Sequence, residues 1–265
     1  KMITLLGKPL GQSFAARMQN AGYEAAGLNM LYFYTEVDKD HLGDVVNGLR
    51  YMNFAGFAVT KPNKVRVLRY LDELDPLCKK MGASNTVVKT PEGKLIGYNT
   101  DGVGFYTSLV EEGKINVEES TFFCFGAGGA GRAMCSVLAY HGAKKIYITD
   151  FYEPCAESLV MDINENFAPV AELVHHGDYA KIAECNVVMN ASGIGMGSTI
   201  GQTPMPVEHI QPGQFYFDAC YNPDKTQFLL NAEEKGCQVL NGLGMSLYQG
   251  AAQIELWTGE KAPVE

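Results

Sequence analysis

Short apolar runs alternate with segments of helical length along the whole chain, without a repeat or a low-complexity segment. Runs rich in β-branched and aromatic residues are typical of strands, and longer periodic segments are typical of helices. The first half predicts strands at 3–6, 31–37, 56–59, 85–89 and 94–98, and helices at 18–27, 41–52, 65–72 and 102–112. The second half predicts strands at 121–125, 145–149, 170–173, 186–190, 214–218 and 238–240, and helices at 131–141, 154–166, 226–235 and 247–258.

This alternation predicts an α/β fold. Because strand and helix follow each other over roughly 100 residues, the second half should form a parallel sheet with helices on both faces. The two strands around Pro91-Glu92-Gly93 indicate a hairpin instead. The polar stretch 111–120 is a candidate linker between two α/β domains, and ligands commonly bind in a cleft between such domains.

A glycine-rich turn follows the first strand of the second half. The turn Gly126-Ala127-Gly128-Gly129-Ala130-Gly131 comes directly after Phe125 and opens a predicted helix, which is the context that the G-x-G-x-x-G pattern requires. The first glycine permits the tight turn, the second lets a pyrophosphate approach the backbone, and the third lets helix and strand pack closely. The helix N-terminus then offers unpaired N–H groups to phosphates. The turn predicts a dinucleotide site in a doubly wound, Rossmann-type domain.

An acidic residue, Asp150, stands at the end of the next strand. About 20 residues after the turn, a carboxylate accepts hydrogen bonds from the ribose hydroxyls of NAD and repels the 2′-phosphate of NADP. No arginine follows in residues 151–154, and Glu153 adds a second negative charge. We therefore expect NAD as the preferred cofactor, with NADP as the alternative. Asp150 could instead serve only as a turn residue or a helix N-cap.

Composition and charge narrow the class of protein. The 265 residues are 46% hydrophobic and 19% charged, with a net charge of −9 and a sequence pI near 5.1. An acidic surface argues against nucleic acid and anionic membranes as partners. No apolar run reaches the ~20 residues of a membrane span, and the apolar run 2–7 is too short for a signal peptide. We expect a cytoplasmic protein with a small-molecule ligand, either a monomer or a homodimer.

The seven cysteines form no C-x-x-C pair. An odd number of scattered cysteines predicts reduced, mostly buried thiols rather than disulfides or a zinc site. The pair His175-His176 does not change this expectation, because adjacent side chains of a strand point to opposite faces. We expect strand-end or loop histidines here and no metal site.

Several polar segments outside the glycine turn carry a family resemblance over essentially the whole chain. The most specific are V-T-K-P-N-K at 59–64, N-T at 85–86 and N-T-D-G-V-G-F at 99–105, supported by Y-N-P at 221–223, Q-G-A-A-Q at 249–253 and W-T-G at 257–259. Together with the glycine turn, these motifs resemble the shikimate dehydrogenase family. The segment R-M-Q-N-A at 17–21 is most similar to its quinate/shikimate dehydrogenase branch.

The resemblance implies reversible, NAD(P)-dependent reduction of 3-dehydroshikimate to shikimate, or of 3-dehydroquinate to quinate, in chorismate and aromatic amino acid biosynthesis or in quinate metabolism. Lys64 and Asp101 match the family's catalytic pair. The positions that match its substrate contacts are Ser13, Tyr32, Thr60, Asn85 and Gln249. The positions that match its cofactor contacts beyond the glycine turn and Asp150 are Ser192, Cys220, Tyr221, Gly242 and Met245.

The resemblance also implies a domain division and a chemistry. Residues 1–102 with 243–265 would bind substrate and carry the catalytic pair, residues 103–242 would bind the dinucleotide, and the C-terminal helix would return to the first domain. Oxidation of an alcohol needs a base for the hydroxyl proton, and reduction of the ketone needs an acid. Burial would favour the neutral amine of Lys64, whereas the negative charge of Asp101 would favour its protonated form. Lys64 is therefore either the base itself or an orienting and relay group.

Two departures from the family pattern leave the substrate open. The family's S-x-S-P run reads Ser13-Phe14-Ala15-Ala16 here, and Ala58 replaces its asparagine before V-T. A lost hydrogen bond to a carboxylate costs ~1.5–3 kcal/mol, or about 10- to 150-fold in affinity. Shikimate would then bind weakly, with Arg17 or Lys61 as compensating cations, or the substrate would differ.

Three functions remain. The leading one is an NAD-preferring shikimate or quinate dehydrogenase. The second is a related oxidoreductase acting on another hydroxy-carboxylate, which Ala15 favours. The third is a non-catalytic sensor of a shikimate-pathway metabolite; the catalytic pair argues against it, and a DNA-binding segment would favour it.

Overall fold

The computed structural model describes residues 1–11 and 13–264 of the chain. The chain divides into two compact units, Lys1–Gly104 with Leu247–Glu265 and Phe105–Ser246. The division falls inside a helix rather than in residues 111–120, so the predicted linker is wrong: that stretch belongs to the second unit. The C-terminal helix returns to the first unit, as expected.

The first unit is built on a six-stranded mixed sheet. Its strands are β1 (Met2–Gly7), β2 (Leu31–Glu36), β3 (Phe54–Val59), β4 (Glu73–Leu74), β5 (Thr86–Lys89) and β6 (Leu95–Tyr98). Its helices are α1 (Ala15–Ala25), α2 (Leu42–Tyr51) and α3 (Pro76–Met81), with the start of α4 (Thr100–Glu111). The strand order is β2-β1-β3-β5-β6-β4, in which β1 is parallel to β2 and β3. The predicted hairpin is confirmed, because β5 pairs antiparallel with β6.

Two local predictions in this unit are wrong, and one helix was missed. The helix expected at 65–72 is a short 3-10 helix, Arg66–Tyr70, and α1 begins at Ala15 instead of residue 18. Helix α3 was not predicted, although Asp75-Pro76 is a start signal: the Asp75 carboxylate accepts hydrogen bonds from the N–H groups of Leu77 and Cys78. Short elements of this kind depend on caps and tertiary contacts more than on periodicity.

The second unit contains a fully parallel six-stranded sheet, as predicted. Its elements are β7 (Thr121–Phe125), α5 (Gly129–Tyr140), β8 (Lys145–Thr149), α6 (Glu153–Asn166), β9 (Ala171–Leu173), β10 (Val187–Asn190), β11 (Phe215–Asp218), α7 (Gln227–Glu234) and β12 (Gln238–Asn241). Helix α8 (Leu243–Thr258) then leads back to the first unit. The order β12-β11-β10-β7-β8-β9 is that of a doubly wound Rossmann sheet, whose order reverses between β7 and β10.

The central strand β7 explains the continuous apolar runs of this half. Phe122 and Phe123 point to opposite faces of the sheet and are both fully buried. Both faces are therefore covered, which makes the strand read as an unbroken apolar segment. The seven cysteines are free thiols, and all except Cys155 are buried, as expected. Within the described residues, no helix is both long and apolar enough to cross a membrane.

Candidate active site

Lys64 and Asp101 form an ion pair in the first unit. Lys64 lies in the turn that follows β3, and Asp101 lies in the first turn of α4, so Asp101 is not the N-cap of that helix. Lys64 Nζ donates to Asp101 Oδ2 at 2.6 Å, and the two side chains are only 27% and 17% exposed. The structure thus joins the two residues from separate motifs in one half-buried pair that can hold a proton.

The second oxygen of Asp101 accepts a hydrogen bond from Asn85. Asn85 Nδ2 donates to Asp101 Oδ1 at 2.9 Å, and Asn85 Oδ1 accepts the backbone N–H of Thr100 at 2.7 Å. Asn85 is 3% exposed, and its amide also contacts the hydroxyl groups of Thr86 and Thr100. Asn85 therefore orients Asp101 before any substrate arrives. Both ends of its amide already have partners.

Three further predicted substrate residues, Ser13, Thr60 and Gln249, belong to the same unit as this pair. Ser13 follows β1 and Thr60 follows β3, so both lie at the carboxyl edge of two parallel neighbouring strands. Gln249 lies on α8, and its Nε2 is 3.4 Å from Thr100 Oγ1. Ser13 Oγ accepts the N–H of Ala15 at 3.3 Å, which bends the loop at the start of α1. Hydroxyl and amide groups of this kind suit a polyhydroxylated ligand.

Tyr32 requires a correction. It is the second residue of β2, away from the carboxyl edge, and it is 2% exposed, with its ring 6.1 Å from that of Trp257. Burial raises its pKa far above the usual range. Tyr32 is thus a core residue. Tyr34, which sequence reasoning passed over, lies two residues closer to the edge: its hydroxyl donates to Ser13 O at 2.5 Å and accepts the N–H of Ala16 at 3.0 Å.

The glycine turn of the second unit leaves room for a phosphate. A Cβ on Gly131 would lie 1.9 Å from Gly126 O, and a Cβ on Gly126 would lie 2.6 Å from Ser192 N, so these glycines permit close packing. A Cβ on Gly128 or Gly129 would meet nothing within 4 Å. The N-cap residue Gly128 supplies no side-chain bond to the N-terminus of α5. The first backbone N–H groups of α5, which have no acceptor within the helix, fit a dinucleotide pyrophosphate.

Asp150 links the end of β8 to the glycine turn. Its Oδ2 accepts the N–H of Ala127 at 2.7 Å, and its Oδ1 accepts the N–H of Tyr152 at 2.8 Å. The N-cap of α6 is Tyr152, so Asp150 does not cap that helix, although it does form a turn. Each carboxylate oxygen retains further acceptor capacity for a ribose hydroxyl.

The other predicted cofactor residues also follow strands of the parallel sheet. Ser192 comes after β10, Cys220 and Tyr221 after β11, and Gly242 with Met245 after β12. Because parallel strands end at one edge, these residues share the edge that carries the glycine turn, where ligands of doubly wound folds bind. Burial raises the pKa of the Cys220 thiol to about 12, so Cys220 stays protonated.

A buried carboxylate that sequence reasoning missed organises this edge. Asp218 is fully buried and accepts hydrogen bonds from Asn190 Nδ2 at 3.1 Å, Thr226 Oγ1 at 2.6 Å and the N–H of Cys220 at 2.9 Å. Burial raises its pKa, which these donors partly oppose. Asn190 in turn accepts Ser192 Oγ at 2.6 Å. The sequence feature that could have revealed Asp218 is an aspartate at the end of an otherwise apolar strand.

The described residues contain no group of three or more His, Cys, Asp or Glu side chains placed to hold a metal ion. His175 and His176 lie just beyond β9, and His175 Nδ1 is 3.2 Å from Glu153.

Comparison with known proteins shows that both ends of the chain and its full length resemble one protein family. Residues 5–87 match the shikimate dehydrogenase substrate binding domain, and residues 242–265 match the shikimate 5'-dehydrogenase C-terminal domain. A relative from Desulforamulus reducens, named shikimate dehydrogenase (NADP(+)), is 40% identical over 98% of this chain and 91% of its own length.

Solved structures agree in fold. The shikimate 5-dehydrogenase of Listeria monocytogenes in complex with shikimate and NAD is 38% identical, with a TM-score of 0.95 over 100% of this chain and 93% of that chain. The quinate dehydrogenase of Corynebacterium glutamicum in complex with NAD is 28% identical, with a TM-score of 0.92 over 99% and 95%.

The fold and the family matches define the chain as an oxidoreductase with a substrate-binding unit and a Rossmann-type unit. More narrowly, the chain belongs to the shikimate dehydrogenase family.

Proposed function

We propose that the chain catalyses the reversible oxidation of the C3 hydroxyl of shikimate, or of the related acid quinate, with NAD as the oxidant. The observation that carries the proposal is the 2.6 Å contact between Lys64 and Asp101, with Asn85 on the other carboxylate oxygen. A proton-handling pair is what alcohol oxidation requires of the protein, since the bound cofactor supplies the chemistry of hydride transfer. The seven free thiols fit the cytoplasmic location expected from the sequence.

In this proposal, Lys64 in its neutral amine form accepts a hydrogen bond from the reacting hydroxyl and takes its proton, so that Nζ becomes an ammonium group. Asp101 Oδ2 keeps the ammonium group in place, and Asn85 keeps the carboxylate from rotating. Ser13, Thr60 and Gln249 hold the carboxylate and the other hydroxyls of the substrate. The partial burial of the pair keeps bulk water from competing for the same donors.

The direct test is a substrate panel. Initial rates of NADH formation are measured with shikimate, quinate and related hydroxy-carboxylates at saturating NAD. We expect shikimate or quinate to give the highest kcat/KM. Ligand binding without turnover of any acid would contradict the proposal and favour the non-catalytic sensor.

Ala15 favours a second candidate, a dehydrogenase for another hydroxy-carboxylate. Ala15 begins α1, where the family pattern has its second serine. The variant Ala15→Ser separates the two candidates. If the substrate is shikimate, the restored hydroxyl should lower its KM by about 10-fold or more, the value of one hydrogen bond to a charged group. If another acid is the substrate, the variant should raise the KM for that acid.

NAD preference is the second part of the proposal. Asp150 and Glu153 bring two carboxylates to the end of β8, and no lysine or arginine occurs in residues 150–154. The hydrogen bond from His175 lowers the pKa of Glu153, so this side chain is ionised at neutral pH. A 2′-phosphate with a charge of about −1.5 to −2 would be repelled here. The Desulforamulus and Listeria relatives are named for NADP(+), whereas the Listeria and Corynebacterium structures contain NAD.

The cofactor preference is tested by kcat/KM for NAD and NADP. We expect a ratio above about 10 in favour of NAD, equal to ~1.4 kcal/mol of discrimination. Asp150→Asn keeps an oxygen acceptor for the N–H of Ala127 but removes the charge, so it should reduce the ratio. Lys145→Gln, at the opposite end of β8, is the control. If the wild-type enzyme prefers NADP, the proposed NAD preference is wrong, but the proposed oxidation of shikimate or quinate is unaffected.

A further inference from the structure

A continuous line of buried side-chain hydrogen bonds leads from α1 and α8 to Asp101. Gln19 Nε2 is 3.0 Å from Gln253 Oε1, Gln253 Nε2 is 2.8 Å from Thr86 Oγ1, and Thr86 Oγ1 is 3.0 Å from Asn85 Oδ1. Asn85 Nδ2 completes the line with its bond to Asp101 Oδ1 at 2.9 Å. The first four residues are between 0% and 3% exposed. Water therefore does not replace a missing partner easily within this line.

Backbone groups at both ends fix the orientation of the three amide side chains in this line. At one end, Gln19 Nε2 donates to Gly250 O at 3.1 Å, and a carbonyl oxygen can only accept. Gln19 therefore presents its NH2 group to Gln253, which leaves the NH2 group of Gln253 to donate to Thr86.

At the other end, the N–H of Thr100 can only donate, and it lies 2.7 Å from Asn85 Oδ1. The NH2 group of Asn85 therefore faces Asp101. Thr86 Oγ1 accepts from Gln253, so its single proton remains for Asn85 Oδ1 at 3.0 Å or Thr100 Oγ1 at 3.1 Å.

We infer that Thr86 and Gln253 are positioning residues of the proton-handling pair: they hold the Asn85 amide so that it donates to one oxygen of Asp101 while Lys64 occupies the other. Neither residue has a hydrogen bond to Asp101 or Lys64 among the contacts of the described residues, so their effect passes through Asn85. The inference rests on the proposed role of Lys64 and Asp101 in proton transfer.

The consequence concerns the chemical step more than substrate binding. Without the Thr86 hydroxyl, Asn85 keeps its bond from the backbone of Thr100 but loses the lateral contact that holds its amide plane. The Gln253 amide, 3% exposed, would then lack an acceptor and would have to reorient. Asp101 would gain freedom to rotate, and Lys64 with it. Since hydrogen bonds to a carboxylate favour its ionised form, the pH dependence of the reaction should change as well.

The experiment compares Thr86→Val, which keeps the shape and removes the hydroxyl, with Thr86→Ser, which keeps the hydroxyl. The control is Thr4→Val: Thr4 is 1% exposed in the same unit, and its hydroxyl bonds Thr35 at 2.7 Å, outside this line. For the purified full chain with saturating NAD and its best acid, kcat, KM and the pH profile of kcat are measured.

We expect Thr86→Val to lower kcat about 10-fold or more, within the range of a disturbed proton transfer, with KM changed less than about 2-fold. The acid limb of its pH profile should move to higher pH. Thr86→Ser and Thr4→Val should stay within about 2-fold of wild type in both constants. If Thr86→Val fails to fold, Gln253→Met, which removes the donor to Thr86, should give the same loss of kcat.

Two results would overturn the inference. One is a Thr86→Val enzyme with wild-type kcat and pH profile. The other is a raised KM with unchanged kcat, which would make Thr86 a substrate contact.

A crystal structure of Thr86→Val separates this inference from the proposed function, because it is informative even if wild type oxidises no acid. We expect the distance between Asn85 Nδ2 and Asp101 Oδ1 to exceed about 3.5 Å, the limit of a hydrogen bond. An unchanged 2.9 Å contact would contradict the inference whatever the activity.

Discussion

At the scale of single residues, the environment of Lys64 differs from that of Lys94, a lysine with an equally short ion pair. The pair Lys64–Asp101 and the pair Lys94–Glu73 have the same 2.6 Å contact. The side chains of the first are 27% and 17% exposed, whereas those of the second are 58% and 52% exposed. Exposed ion pairs contribute little in water, while a half-buried pair holds its charges in a defined geometry. Lys64 is therefore held in a defined position, as the proposed proton transfer requires, whereas Lys94 is largely solvated.

The first prediction follows from this contrast. Lys64→Ala should lower kcat at least about 100-fold, as expected for the loss of a proton-transfer group. Lys94→Ala, which breaks an equally short but exposed pair, should leave kcat within about 2-fold. Steady-state kinetics with the best acid of the panel measure both. A Lys64→Ala enzyme with near-normal kcat would remove Lys64 from the mechanism.

His141 gives a prediction for pH. Its ring stacks on Tyr106 with centroids 3.7 Å apart, and burial lowers the pKa of the imidazole, an effect that Glu118 partly opposes. The unfolded chain therefore binds the proton at higher pH than the folded chain does. The stability contributed by neutral His141 is full above the unfolded pKa of about 6.5 and is lost as pH falls below it.

His141→Phe keeps a stacking ring but cannot titrate. Its free energy of unfolding should therefore fall less than that of wild type between about pH 7.5 and about pH 5.5, in urea titrations at each pH. His41→Phe is the control, since the His41 side chain is 74% exposed. Identical pH dependence in wild type and His141→Phe would contradict the assignment.

Most of the site could be predicted from sequence at this scale because its residues stand in short motifs. Lys64, Asp101 and Asn85 all meet in the structure. Tyr32 could not be placed correctly, because what packs over a strand side chain decides whether it is buried or accessible. Tyr34 and Tyr32 share one face of β2, and only the structure shows that Tyr34 reaches the Ser13 loop. The role of Asn85 toward Asp101 also needed three-dimensional proximity.

At the scale of elements, the glycine turn combines two physical demands that a sequence pattern does not separate. Gly131 is required for packing, because a Cβ there would lie 1.9 Å from Gly126 O. Gly128 has open space around its Cα and a φ of −69°, which any residue adopts. The fold therefore does not require a glycine at this position, whereas close approach of a phosphate would.

Two alanine variants separate these demands. Gly131→Ala should destabilise the second unit by about 1–3 kcal/mol through overpacking. Gly128→Ala should change stability by less than about 1 kcal/mol but weaken NAD binding about 10-fold or more, since the new methyl group occupies the approach of the phosphates. Thermal unfolding and isothermal titration with NAD measure the two effects. Unchanged NAD affinity in Gly128→Ala would show that the pyrophosphate lies elsewhere.

The strands of the second unit were predictable because each is short, apolar and bounded by polar or glycine residues. The predicted bounds of β7 and β8 agree with the structure residue by residue. Helix α3 was not predictable from periodicity, because six residues hold fewer than two turns and depend on the Asp75 cap. The start of α4 at Thr100 was missed by two residues for a related reason: Asn99 Oδ1 accepts the N–H of Gly102 ahead of the predicted first turn.

At the scale of the whole molecule, a net charge of −9 does not prevent the binding of a small acid. Screening limits long-range repulsion to about 8 Å at physiological ionic strength, so local groups decide. One unit holds the Lys64–Asp101 pair, and the other holds a parallel sheet with a glycine turn at its carboxyl edge. Sequence alternation predicted both units. It could not give their division inside α4, because that helix continues through the point where the contacts change from one unit to the other.

The central claim is hydride transfer from the C3 carbon of a hydroxylated ring acid to NAD, and isotope transfer tests it most directly. Shikimate carrying deuterium on C3 is incubated with the enzyme and NAD, and the reduced cofactor is analysed by NMR and mass spectrometry. We expect NADH that carries one deuterium on the nicotinamide ring, with quinate labelled at C3 as the alternative donor. The absence of reduced cofactor with both acids, or reduced cofactor without deuterium, would contradict the claim.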